Sequence, residues 1–60
     1  MTEKELGYLE EAIKSEAQHA KVLAAAGQMA RDPELRRMFE EEVPVCLRRV
    51  DELMRELHRR

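Results

Sequence analysis

The sequence predicts an all-α fold: an antiparallel two-helix hairpin that pairs with a second copy into a four-helix bundle. Three observations carry this. Apolar and small residues recur at alternating steps of three and four along two long stretches, the seam of packed helices. One short break, Arg31-Asp32-Pro33-Glu34, separates the stretches, and a short connection makes antiparallel neighbours. Charged residues make up 40% of the chain and aromatic residues 3%, which suits solvated amphipathic helices and not a sheet.

The first helix is expected over about 3–30. Thr2 followed three residues later by Glu5 forms a capping box. The seam then runs Leu6, Leu9, Ile13, Glu16, Ala20, Leu23, Gly27, Ala30, with Ala12, Ala17, His19, Ala24 and Ala26 beside it. A face this wide suits packing against two neighbours. Gly7 and Gly27 each cost about 1 kcal/mol of helix propensity against Ala. Gly27 lies on the seam, where close backbone approach accounts for it; Gly7 lies off the seam.

At the break, Asp32 can cap, Pro33 suits the first helical position, and Glu34 meets the positive end of the helix dipole. The second helix is expected from 33 to about 58, with the seam Phe39, Val43, Cys46, Val50, Leu53, Leu57, widened by Leu35, Leu47 and Met54. Pro44 removes one backbone hydrogen bond and crowds the carbonyl of Glu40, which predicts a kink. The seam keeps its phase across Pro44, so one helix is expected, not two. Arg55, His58, Arg59 and Arg60 place positive charge at the helix end that favours it.

The single domain spans 1–60. A chain this short buries a small core and is marginal without a partner, a metal or a staple. One cysteine allows no internal disulfide, in keeping with a cytoplasmic location. No apolar run is long enough to span a membrane, and no signal-peptide pattern is present. Eleven basic against thirteen acidic residues give a net charge of -2, which makes no electrostatic case for nucleic acid.

The candidate functional residues are the polar groups on the inner faces. A hairpin centred between Arg31 and Asp32 sets residue i opposite 63 − i. Glu16 then falls level with Leu47, between Cys46 and Arg49, and His19 falls near Pro44 and Glu42. Glu16, His19, Glu42, Cys46 and Arg49 thus form one polar level between apolar layers. Each has a plain structural reading. A seam-edge His packs or meets water, a helical Cys acts as a small hydrophobe, and Glu42 and Arg49 are rim charges. Glu16 stands at a core position. It needs a cation, a metal, a proton or water, or it serves to set register at a cost in stability.

Leu9 to Glu16 (LEEAIKSE), followed by Asp32 to Glu41 (DPELRRMFEE), resembles the first helical hairpin of the ferritin-like superfamily, with rubrerythrins and ferritin-like spore coat proteins as the comparison. The resemblance covers nearly the whole chain and implies half of a ferritin-like bundle, completed by a second chain. It places the family's first-helix Glu ligand at Glu16. The family's second-helix Glu and His, three residues apart, fall at Cys46 and Arg49, and Arg binds no metal. The resemblance therefore implies a decayed metal site in which Arg49, from the same or the partner chain, replaces the metal as the cation held by Glu16.

No nucleophile–base pair, glycine loop or complete ligand set argues for an enzyme. The expected function is a non-catalytic structural or interaction module of ferritin-like type, acting as a homodimer or higher homo-oligomer without a cofactor. The alternative is a metal-binding bundle: Glu16 and His19 from two chains could hold iron or zinc at the dimer centre, with Cys46 favouring zinc. No protein partner other than the chain itself can be named from the residues.

Overall fold

The computed structural model describes residues 1–59 and places them in two helices, α1 (Glu3–Met29) and α2 (Pro33–His58). They lie side by side as a hairpin 45 × 15 × 10 Å across its Cα atoms. No strand occurs among the described residues.

Local chemistry sets each end. Thr2 Oγ1 accepts the Glu5 N–H at 3.1 Å, and Glu5 Oε1 accepts the Thr2 N–H at 2.8 Å. This capping box satisfies two donors that the first turn would otherwise leave bare. Asp32 Oδ1 accepts the Glu34 N–H at 3.0 Å to cap α2, and Pro33 occupies its first turn. At the far end of α1 the last turn carries no basic residue. Arg36 supplies the charge from the other helix: its Nε and Nη2 donate to the Ala30 carbonyl at 3.2 and 2.7 Å. One guanidinium thus ties the end of α1 to the first turn of α2 and favours the negative end of the α1 dipole.

α2 runs through Pro44 as one helix, the continuity that its unbroken seam implies. Its basic end is stitched by Arg55 to Asp51 at 2.8 Å and Arg59 to Glu56 at 2.7 Å. Arg60, expected at the same basic end, lies outside the described residues.

The seams point at each other. Every described seam residue of both helices is buried or half-buried, but only Ala20, Gly27 and Cys46 are fully buried. The large apolar side chains, Leu6, Leu9, Ile13, Leu23, Phe39, Val50 and Leu57 among them, keep part of their surface in water. Two of the residues expected to widen the core, Leu35 and Leu47, are exposed, as is Ala24. The reason is geometric: one helix can cover only one stripe of its neighbour, and a broader apolar face needs a further layer.

Gly27 faces α2 closely. A Cβ there would stand 3.4 Å from Glu40 Cγ and 3.6 Å from Phe39 Cβ, which is contact and not collision. Close approach thus coincides with Gly27 without strictly demanding it. Gly7 faces open space.

Candidate functional site

Two side-chain contacts cross the hairpin at mid-length. Arg49 Nη1 lies 3.5 Å from Glu16 Oε2. One turn along, His19 Nδ1 lies 3.5 Å from Cys46 Sγ. Both pairs follow a register of 65 − i, where the sequence expectation was 63 − i. Side-chain direction explains the difference. Helical side chains lean towards their own N-terminus, so each covers the level about one residue before its Cα. In an antiparallel pair the two offsets add. His19 therefore meets Cys46 and not Glu42.

Glu16 is the most enclosed charged group of the site, its side chain 23% exposed against 58% for Arg49. Its Oε2 is sealed from water and makes no hydrogen bond, so the Arg49 contact is a charge–charge contact without a shared proton. Glu16 is thus a core residue by position and is neutralised from the rim. The Arg49 stem reaches over the helix edge while its head stays wet, as long cationic side chains do.

Cys46 is fully buried. Its thiol can donate to a neutral Nδ1 of His19 or accept from it, depending on which ring nitrogen carries the proton. His19 itself is exposed. A thiol beside an imidazole is the raw material of a nucleophile–base pair, a pairing that the 63 − i register, with His19 near Pro44 and Glu42, does not predict. The sulfur has no surface open to a substrate, so the contact in a single hairpin is one of packing.

Glu42 does not join the cluster. It is exposed and makes no ion pair or hydrogen bond among the described residues. It shares an edge of α2 with Arg49 but stands nearly two turns away, too far for one contact. The expected single polar level is in fact two adjacent pairs, Glu16–Arg49 and His19–Cys46.

A metal ion at Glu16 does not fit this arrangement within one chain. The guanidinium of Arg49 occupies the neighbourhood of Glu16 where a cation would bind. Among the described residues no three His, Cys, Asp or Glu side chains converge as a metal group within one chain.

The opposite flank of the hairpin is different in kind. A shallow trough runs between the helices there, its middle lined by Ala17, Ala20 and Ala24 from α1 and Val43, Leu47 and Val50 from α2. It continues past Ala24 and Val43 to Gln28, Glu40 and Pro44. No described helix is long and apolar enough to cross a membrane.

Comparison of the chain with protein-family models, with curated proteins and with solved structures finds no match.

Proposed function

We propose that this chain is a non-catalytic structural or interaction module of ferritin-like type, whose working form is a homo-oligomeric helical bundle. The observation that carries the proposal is surface area. The hairpin exposes 4964 Å². A compact monomer of its mass, 7.1 kDa, would expose about 4100 Å². The excess, about 900 Å², matches the roughly 800 Å² that each partner buries in a standard interface. Partly wet leucines and valines along both seams supply the driving force for covering it. The ferritin-like assignment draws on the sequence resemblance, on the two-helix hairpin, and on Glu16 meeting a cation at the level where that family holds metal. Light scattering tests the oligomer. A mass at twice the chain or a higher multiple supports it, and a stably folded monomer at micromolar concentration refutes it.

One observation favours a second reading, metal binding between chains. His19 and Cys46 bring an imidazole and a thiol to 3.5 Å from facing helices. Such a pair is half of a four-donor set suited to zinc, and a second copy would have to supply the other half. This reading needs the His19 flank to be the interface. Elemental analysis of the purified oligomer decides it: about one zinc or iron per dimer, lost on His19→Ala, would replace the non-metal reading.

A further inference from the structure

We infer that self-association uses the alanine-floored trough, and that the Glu16–Arg49 and His19–Cys46 edge therefore faces solvent in the assembled protein. The inference rests on the proposed self-association and adds which flank carries it.

Three observations select the flank and its occupant. Apart from Lys21, the trough lining is small or aliphatic, and Leu47 stands on it 53% exposed. The other flank carries an exposed apolar side chain too, Met38, but sets it among Glu16, Arg49, Glu42 and the exposed His19. Interface cores are depleted in charge, so the trough is the better core. The occupant is a second copy because the patch complements itself. A two-fold contact sets the same surface against itself, so its charges must balance within one patch. Lys21 borders the trough and Glu40 borders its continuation, and neither has an ion-pair partner among the described residues. A two-fold axis near Ala24 and Val43 can set one copy's Lys21 by the other's Glu40. The alanines let a second pair of helices approach closely, and the area left exposed is that of one such contact.

The test is thiol accessibility in the native oligomer, with Cys46→Ala as background. Leu47→Cys is compared with Met38→Cys, nine residues away and so half a circle round α2; Met38 is 55% exposed. Each rate of reaction with an aromatic disulfide is normalised to its rate in denaturant. Leu47→Cys should react about tenfold more slowly than Met38→Cys, as expected of a site dried by an interface. It should speed up when dilution dissociates the protein. Ala24→Cys against Ser15→Cys repeats the comparison on α1, should a Leu47 variant fail to fold. Equal rates, or slower reaction at Met38 and Ser15, in protein that remains oligomeric would overturn the choice of flank while leaving self-association intact. A wild-type protein that is monomeric would instead remove the reading on which the inference rests.

Discussion

Glu16 Oε2 lies 3.5 Å from Arg49 Nη1, sealed from water and without a hydrogen bond. The pair is lopsided, one partner mostly enclosed and the other mostly wet. Arg49→Ala should therefore cost about 1–2 kcal/mol, between the 0–1 typical of exposed pairs and the 3–5 of buried ones. Glu16→Leu should be neutral or stabilising by about 1 kcal/mol, because it removes an unsatisfied buried oxygen. In the Glu16→Leu background, Arg49→Ala should have no effect. Urea melts of the two single variants and the double variant check this. Equal costs for Arg49→Ala in both backgrounds would mean the residues do not interact.

Arg36 should matter more than its exposed position suggests. It donates twice to the last turn of α1, whereas its neighbour Arg37 makes only a 3.9 Å surface ion pair with Glu41. Arg36→Ala should lower stability by about 1 kcal/mol, the size of an ordinary hydrogen bond, because water screens the exposed guanidinium. Arg37→Ala should change it by under about 0.5 kcal/mol. Equal effects of the two changes in chemical denaturation would show that the turn clamp contributes nothing.

The two glycines separate helix propensity from packing. A Cβ at Gly7 meets nothing within 4 Å, so Gly7→Ala should stabilise by about 0.5–1 kcal/mol. At Gly27 a Cβ would touch Glu40 Cγ at 3.4 Å. Gly27→Ala should therefore be neutral to mildly stabilising, while Gly27→Leu should be destabilising through overpacking, by about 1–3 kcal/mol. Thermal midpoints rank the three. A strongly destabilised Gly27→Ala would mean that the helices approach more closely than these distances indicate.

A chelator should leave the thermal midpoint of the purified protein unchanged. A ligand bound only by the folded state raises the midpoint, so its removal would lower it. A drop on chelation, abolished by His19→Ala, would bring the metal reading forward.

Much of the hairpin was legible in the residues, because the signals were local. Thr2-to-Glu5 capping, Asp32-Pro33 and the three–four seams each depend on neighbours in sequence, and α1 and α2 follow them to within a residue. The Glu16–Arg49 contact was legible in part: an acid on a seam needs a cation, a metal, a proton or water, and Arg49 was one cation within reach of its level. The His19–Cys46 contact was missed by the two residues that leaning side chains add to the backbone register. The Arg36 clamp was missed because a surface arginine carries no periodic mark. Leu35, Leu47 and Ala24 belong by pattern to a broad apolar face, and hydrophobic periodicity does not say whether such a face is covered by the same chain.

That uncovered face makes self-association directly measurable. Sedimentation equilibrium from sub-micromolar to high micromolar concentration, with helix content followed on the same samples, measures it directly. Self-association predicts twice the 7.1 kDa chain mass, or a higher multiple, with helicity falling as dilution releases the chains. A fully helical species at the mass of one chain across the whole range would contradict it.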